Sequence, residues 1–497
     1  MSASRERKKR TEQAPQPETK QKTKKLSEGW IFAICMIAIV VILIGALIGY
    51  SVYLNSRPVL TVGDHTVTVS EFNYFYTTTV NKCSSYASYM GLDSATPLDE
   101  QYVTESGSSM LMLLGVDSSY LSDKTATDGT YDVTWAQLFA DAAKADAASV
   151  YAVYNEAMAN GFEISDHIKE DIDANVEQMK TYADNNSMSL SKFIERVYGD
   201  GCNESGYRNY LKVQLVASEY ASTLTYSDEE IEAKRAESPE DYTVATYYQY
   251  SVSASDFVEA DEDGEKPDPT AAEEKKAKDA AEAMAADFDV ESATLKADTA
   301  RATASSSTTE EAADWLFDTA ENDAVKLFEK EGTYYVLKLI DKTDYTTGNF
   351  MQIVISADEE ELEEGELTAE EKKEKIVAAL EADASAENFE ALAEEYSDTH
   401  EVEVENSTRS SLSSISEEAL FWGMEERTAG DYQVFETDGN YIILLYTGEG
   451  EIYSSVVVTA VLANEHIEEI SDAAVEACNY DEKTAMTANV SLSLGNN

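Results

Sequence analysis

The sequence repeats one strand-forming pattern. "YYQYSVS" occupies residues 247–253 and "FMQIVIS" occupies residues 350–356, and each has Gln at its third position, Gln249 in the first and Gln352 in the second. The segments "GTYYVLKL" and "GNYIILLY" follow them at nearly equal distances. A pattern that recurs at a fixed spacing predicts a structural unit that recurs, because each copy must bury the same apolar face. The chain is therefore expected to contain two copies of one α+β unit.

The two copies align over about a hundred residues. The opening strands are offset by 103 positions, whereas Trp315 with Trp422 and Gly332 with Gly439 are offset by 107, so one change of four residues in length reconciles them. We predict tandem domains at 243–343 and 348–448. Each is expected to contain an opening strand, helices, a Ser-rich loop, an aromatic segment, a turn and a closing strand.

One helix of the second copy is especially clear. "ENFEALAEEYSD" places Phe389, Leu392, Ala393 and Tyr396 at i, i+3, i+4 and i+7, the spacing of one helical face.

The N-terminal region combines a basic segment with an apolar one. Residues 1–29 contain nine Lys/Arg and four Glu, and the 28 residues at 29–56 carry no charge. That length spans roughly 30 Å of hydrocarbon, and basic residues remain on the cytoplasmic side. We expect a cytoplasmic tail at 1–29, a transmembrane helix at 30–53 and an extracellular C-terminal region, in a single-pass protein of the cell membrane. A cleaved signal peptide is the alternative, but its apolar stretch would be shorter and would end in a small-x-small site.

The rest of the chain is strongly acidic. The formal net charge is −59, and beyond the basic tail it is −64. A surface of this sign repels polyanions, so nucleic acid is not an expected partner.

The cysteine and histidine positions point to no metal site or other cofactor. The four His are scattered, and Cys83, Cys202 and Cys478 have no metal-binding spacing. A disulfide bond between Cys83 and Cys202 is one possibility, and buried unpaired thiols are the other.

Residues 58–242 are predicted to form a mainly helical domain. A hairpin is expected at 58–69, and residues 92–133 are expected to be an irregular insertion with one apolar patch. Thr68 with Glu71 has the spacing of a capping box at a helix N-terminus. A long helix is predicted to begin near Thr134, and a C-terminal helix is predicted at 450–475.

The second copy resembles a parvulin-type peptidyl-prolyl isomerase domain. The resemblance rests on the strand ending at Ser356, the helix "NFEALAEEYSD", the segment "ISEEALFWGM", and "DGNYIILLY" after a Gly turn. Together with "TVSEFNYFY", "TWAQLFADAA" and "YSDEEIEAKRAES", residues 58–475 are similar to extracytoplasmic foldases of the SurA/PrsA kind. The resemblance implies a SurA-N-like helical chaperone domain, with the helix at 450–475 packing back on it, and two parvulin-like domains. The expected fold class is thus α+β with one N-terminal transmembrane helix.

The two copies depart from the pattern of an active parvulin. The resemblance implies a His in the opening strand and another in the closing strand, but Gln249 and Gln352 occupy the first position, and Tyr334 and Tyr441 occupy the second. Isomerisation faces a barrier of ~18–20 kcal/mol, which is lowered by an apolar pocket with placed hydrogen bonds. We therefore expect degenerate catalytic positions, with each Gln and Tyr forming a structural hydrogen-bonded pair across the central strands.

Aromatic and aliphatic residues near these positions are candidates for binding extended apolar polypeptide. The alternative is that they pack in the core. The candidate substrate-binding residues are Leu412, Ile415, Phe421, Trp422, Trp315 and Phe317.

The expected function is that of a membrane-anchored chaperone or foldase outside the cytoplasm. Its partners would be unfolded or nascent exported polypeptides, and its prolyl isomerase activity would be weak or absent. One alternative is an active parvulin-type isomerase in the second copy. Another is a cell-envelope scaffold that binds one folded partner.

Overall fold

A computed structural model describes residues 49–486, except 94, 117, 239–241, 261–265, 358–366, 400–401 and 438. The chain forms two compact units. Unit 1 comprises the described parts of Met1–Ala147, Met179–Tyr207 and Asn479–Asn497, and unit 2 comprises those of Ala148–Gln178 and Arg208–Cys478. The domain boundaries expected from the sequence stay predictions.

The predicted fold class is wrong in its membrane element. No helix in the described part of the chain combines the length and the apolar character that crossing a membrane requires. Residues 1–48, which include the predicted basic tail and most of the predicted span, lie outside the described residues. The described structure is an α+β protein.

In unit 1, residues 49–55 are helical and the predicted hairpin follows them. Strands β1 (Pro58–Val62) and β2 (His65–Thr68) pair antiparallel around a turn in which Gly63 has a positive φ, and β14 (Asn479–Tyr480) adds to β1. Helix α1 (Val69–Lys82) follows directly. Its predicted capping box is confirmed, because Thr68 Oγ1 accepts from the Glu71 backbone N–H and the Glu71 carboxylate accepts from the Thr68 N–H.

The predicted irregular insertion contains a small sheet. Its strands are β3 (Tyr102–Thr104), β4 (Ala126–Thr127) and β5 (Thr130–Thr134), in the order β3-β5-β4. A 3₁₀ segment, Gly107–Leu114, includes the predicted apolar patch. This sheet was not predicted from the sequence, because its strands are only two to five residues long.

Helices dominate the chain between the small sheet and the two copies. The predicted helix near Thr134 is confirmed as α2. The helices of this region are α2 (Trp135–Ala159), α3 (Asp166–Asn185), α4 (Leu190–Tyr198), α5 (Glu204–Thr223) and α6 (Asp228–Arg235).

The C-terminal helix of unit 2 packs on helices from this region. The helix predicted at 450–475 is α14 (Tyr453–Ala477). Its Ile467 and Ile470 side chains contact a core formed by Val153, Ile168 and Val216.

Both copies contain a four-stranded antiparallel sheet with one strand order. The first copy has β7-β6-β9-β8 and the second has β11-β10-β13-β12. The first-copy strands are β6 (Val244–Ser253), β7 (Thr294–Ala300), β8 (Val325–Lys330) and β9 (Thr333–Thr343). The second-copy strands are β10 (Thr346–Ile355), β11 (Glu403–Ser407), β12 (Tyr432–Thr437) and β13 (Asn440–Ile452). The sequence repeat therefore corresponds to a repeated topology.

The copies differ in their helices. Between the first two strands of each copy, the described residues of the first copy form one α-helix, α7 (Ala271–Ala286), whereas those of the second form α10 (Ala369–Ala382) and α11 (Ala386–Tyr396). Helix α11 confirms the periodicity of "ENFEALAEEYSD", since Phe389, Leu392 and Ala393 are buried.

The predicted Ser-rich loops are instead helical. They form α8 (Arg301–Ser307) in the first copy and α12 (Arg409–Ile415) in the second, and short helices follow them, α9 (Glu310–Asp314) and α13 (Glu417–Met424). Thr408 and Ser416 accept hydrogen bonds from backbone N–H groups at the starts of α12 and α13. Ser and Thr in these segments thus act as helix caps, a role that composition alone does not distinguish from a loop.

Candidate functional site

The expected Gln–Tyr pair of the second copy does not form across the strands. Gln352 lies opposite Leu444, and Tyr441 lies opposite Ile355, in a stretch of β10 and β13 with continuous register. Residues opposite one another share a face of the sheet, and successive residues alternate between faces. Gln352 and Tyr441 are three positions apart in this register and therefore lie on opposite faces.

The first copy repeats this arrangement. Gln249 lies opposite Leu337, and Tyr334 lies opposite Val252. Gln249 Oε1 is a buried atom without a hydrogen-bond partner among the described residues. In neither copy do the two degenerate positions form one polar floor. The expected cross-strand hydrogen-bonded pair is therefore wrong, because the strand register places the Gln and the Tyr of each copy on opposite faces of the sheet.

Tyr441 belongs to a charged cluster at the surface instead. Its hydroxyl donates to Glu370 Oε2 at 2.5 Å, and Lys373 Nζ lies 4.8 Å from the centre of its ring. The Lys373 ammonium, followed by the Tyr441 hydroxyl, lowers the pKa of Glu370 by hydrogen bonding to its carboxylate. The Tyr441 hydroxyl is thus engaged as a hydrogen-bond donor to the Glu370 carboxylate.

The face of the second sheet that carries Gln352 is filled by the copy's own side chains. Leu412 and Trp422 are buried, at 6% and 9% exposure. The Trp422 ring centre lies 5.7 Å from that of Phe350 and 5.8 Å from that of Phe435. The other two candidate substrate-binding residues of this copy, Ile415 and Phe421, are half-buried.

The first copy also covers this face. Leu295 and Ala297, from β7, pack against the cluster that contains Leu412 and Trp422. Both copies lie in unit 2, so this packing is internal to one compact body. Side chains of both copies therefore occupy the position where an extended apolar polypeptide was expected to bind.

The candidate aromatic residues of the first copy are likewise engaged. Trp315 and Phe328 have ring centres 5.6 Å apart, and the Arg301 guanidinium lies 5.1 Å from the ring centre of Phe317. Trp315 and Phe317 pack against a core that includes Leu316 and Leu337.

Polar contacts join the two copies beside this apolar junction. Arg409 Nη2 donates to Asp341 Oδ2 at 2.8 Å, and the Tyr345 hydroxyl donates to both Asp298 oxygens at 3.0 Å. Burial raises the pKa of Asp298, against the opposing effect of the Ser410 N–H and the Tyr345 hydroxyl.

A further hydrogen bond links the copies at Tyr248, whose hydroxyl donates to Glu417.

The large apolar side chains that remain exposed are concentrated in unit 1. In the described part of unit 1 these side chains are Tyr50, Val52, Tyr53, Tyr86, Tyr89, Tyr102, Met112, Leu113 and Tyr182. We call the five from Tyr86 to Leu113 the apolar surface: Tyr86, Tyr89, Tyr102, Met112 and Leu113, at 40%, 74%, 51%, 86% and 42% exposure. The parts of the chain that carry it lie close together, because a Cβ built on Gly107 would lie 2.9 Å from the Met90 carbonyl oxygen.

The apolar surface lies in an acidic part of the chain. Residues 84–134 contain eight Asp/Glu and a single basic residue, Lys124. Sequence reasoning identified only the patch within 110–114. The remaining exposed side chains could have been identified from the isolated Tyr residues at 86, 89 and 102, which stand in a polar segment.

The cysteines of the described chain are free thiols. Cys83 and Cys202 are both buried and unbridged. Cys202 Sγ donates to the Ser70 carbonyl oxygen at 3.3 Å, and burial raises the pKa of Cys202 to about 12. Of the two possibilities left open by the sequence, the structure shows unpaired thiols.

Comparisons with known proteins give a distant likeness to a solved structure. No protein-family model matches the sequence, and no curated protein matches it. Among solved structures, the chain is similar to the crystal structure of foldase protein PrsA from Streptococcus pneumoniae str. Canada MDR_19A, with 15% sequence identity and a TM-score of 0.16. The match covers 44% of this chain and 78% of that one. This is a distant likeness to a foldase and no more.

Proposed function

We propose that the protein is a chaperone that holds unfolded polypeptides on the apolar surface of unit 1 and does not isomerise prolyl bonds. The observation that carries the proposal is the concentration of exposed large apolar side chains between Tyr86 and Leu113. Exposed apolar side chains gathered in one region are typical of binding surfaces, whereas scattered single ones need no explanation. Tyr and Met suit a surface with many clients, because they combine apolar area with adaptable contacts.

The charge around this surface specifies the clients further. Residues 84–134 carry a strong excess of carboxylates, so apolar segments flanked by Lys or Arg would be attracted and acidic segments repelled. Binding should therefore weaken as salt screens these charges over a Debye length of about 10 Å at 0.1 M. Whether the clients are exported polypeptides, and whether the protein works outside the cytoplasm, stay predictions.

The sheets of the two copies have a structural role in this proposal. Their degenerate positions lie on opposite faces, and the face with Gln352 is covered by Leu295 and Ala297. An imide needs an accessible pocket with placed hydrogen bonds before its barrier falls. In neither copy do the Gln and Tyr positions share one face, so they cannot place hydrogen bonds together on an imide, and the proposal assigns no turnover to them.

The proposal is tested by suppression of aggregation. The full chain should keep a chemically unfolded protein with basic, apolar segments soluble, and the triple variant Tyr89→Ser/Met112→Ser/Leu113→Ser should lose most of this effect. The matched control is Tyr182→Ser/Val290→Ser/Ile452→Ser, since these side chains are also exposed, at 50%, 39% and 39%, but lie outside residues 86–113. Equal loss in both variants would contradict a specific surface.

Two further measurements separate the alternatives. A prolyl isomerisation assay on the full chain should show no rate above the uncatalysed one, and measurable turnover would favour an active isomerase. Saturable binding to one native protein, without preference for unfolded chains, would favour a scaffold.

A further inference from the structure

Arg409 has an unused hydrogen-bonding group in the interior of unit 2. The residue is 8% exposed. Its Nη2 donates to Asp341, and its guanidinium lies 4.1 Å from the ring centre of Tyr345. Its Nη1 is buried and has no partner among the described residues. A buried donor that makes no hydrogen bond costs about 1–3 kcal/mol, and more when it is charged, so an acceptor at this point would be favoured.

Arg409 is part of the wall of a cavity of about 140 Å³. An apolar cavity of about 150 Å³ is large enough for a small organic molecule. The wall combines hydroxyl groups with apolar side chains. The other lining residues that bear on the argument are Thr347, Ser407, Phe350, Leu412 and Met424.

The charges around Arg409 favour a neutral ligand over an anion. Asp341 lies 2.8 Å from its Nη2, and the Asp298 carboxylate accepts from the N–H of the neighbouring Ser410 at 2.6 Å. The positive charge of the guanidinium thus already faces carboxylates. An incoming anion would be repelled by them, but an uncharged carbonyl oxygen could accept from Nη1 without that cost.

We infer that this cavity binds a small uncharged amide, whose carbonyl oxygen accepts a hydrogen bond from Arg409 Nη1 and whose apolar part lies against Phe350, Leu412 and Met424. The inference is independent of the chaperone proposal, which concerns unit 1.

The first copy provides an internal comparison. Arg301 is the first residue of α8, as Arg409 is the first residue of α12. The Arg301 side chain is 34% exposed and pairs with both Asp314 and Asp318. The copies therefore place the same residue type at the same helix position, and only the second buries it beside a cavity.

The test follows the methyl groups of Leu412 and Met424 by NMR in the full chain during titration with N-methylacetamide. We expect saturable shifts at these methyl groups and none at Met284 and Leu380, which lie outside the cavity wall. Acetate, an anion of comparable size, should produce no saturable shift. Absence of shifts with the amide, or equal binding of acetate, would overturn the inference.

Variants identify the group that binds. Arg409→Met should weaken N-methylacetamide binding by about tenfold or more, the size expected for loss of a hydrogen bond to a charged group, whereas Arg301→Met should not change it. Met424→Phe keeps Arg409 and its ion pair but fills the cavity, so it tests the site even if Arg409→Met does not fold. Undiminished binding in Met424→Phe would overturn the inference.

Discussion

The two copies share a strand order but cover their sheets differently. In the second copy, α10 and α11 pack on one face through Ile376, Leu380 and Phe389. In the first copy, α7 alone packs on the corresponding face, mainly through Ala277, Ala281 and Met284.

Leu295 reveals what covers the remainder of that first-copy face. It lies opposite Tyr248 and so on the same face as α7, and it packs against the cluster containing Leu412 and Trp422 of the second copy. The second copy thus covers the area for which the first has no second helix. Repeated topology therefore does not imply two independent modules, since the missing helix of one copy is replaced by the body of the other.

The largest effect should come from the helix that only the second copy has. Phe389→Ala should lower the free energy of unfolding by about 3–5 kcal/mol, because Phe389 is fully buried and its loss leaves a cavity. Met284→Ala, in the single helix of the first copy, should cost less, since Met284 is 7% exposed and its neighbours on α7 are small. Chemical denaturation of both variants measures the difference. An equal loss would mean that the two faces are covered equally well.

A smaller effect should distinguish the two helix-initial arginines. Arg409→Met should lower the free energy of unfolding by about 1–3 kcal/mol, because it leaves the partly buried Asp341 without its partner. Arg301→Met should cost about 1 kcal/mol or less, since exposed ion pairs contribute little. Adding Asp341→Asn to Arg409→Met should recover part of the loss. The same loss in the two arginine variants would remove the contrast between the copies.

The contact of Leu295 and Ala297 with the second copy should contribute still less per residue to the free energy of unfolding. Leu295→Ala should cost about 1 kcal/mol, because the side chain is half-buried between the copies. Val290→Ala, at an exposed position shortly before β7, is the matched control and should be nearly neutral. The measurement is the thermal midpoint of each variant at one protein concentration. If the two midpoints agree, the second copy does not cover this face.

The smallest effect should appear as opposite pH dependences of two aspartates of the first copy, Asp298 at the contact with the second copy and Asp318 at the surface. Burial raises the pKa of Asp298, so its contribution to stability is fully present below about 3.9, the ordinary Asp value, and is lost as pH rises through the raised pKa. Relative to the wild type, Asp298→Asn should therefore gain stability as pH increases from about 4 to 7.

Asp318, also in the first copy, provides the opposite case. Its hydrogen bond with Arg301 lowers its pKa, so its contribution is present above the ordinary value and is lost as pH falls through the lowered pKa. Asp318→Asn should thus lose stability relative to the wild type as pH rises, weakly because the group is exposed. Denaturation curves at several pH values test both slopes, and slopes of the same sign would contradict this account.

Local features of the fold were predictable from the sequence, and relations between distant segments were not. The capping box beginning at Thr68 and the helical face containing Phe389 were predictable, because each depends on residues within one or two turns. The positions of Gln352 and Tyr441 within their strands were also predictable. The face that each occupies was not, since it depends on the cross-strand register, in which an odd offset reverses the face.

The candidate site illustrates the same limit. Leu412 and Trp422 were recognisable as apolar anchors near the degenerate positions, but their cover comes from Leu295, over a hundred residues earlier. Nothing in the periodicity of β7 indicates whether its apolar side chains meet solvent or another domain. Likewise, the spacing of Cys83 and Cys202 left a disulfide open, and only the coordinates show both thiols to be free.

The packing of β7 on the second copy has a practical consequence for anyone who dissects this protein. A fragment comprising residues 348–448 would lack Leu295 and Ala297, so the apolar side chains beneath them would face water. Such a fragment would be expected to bind peptides, or to self-associate, through an apolar patch that is covered in the intact chain. Peptide capture by the excised piece would then be a product of the excision.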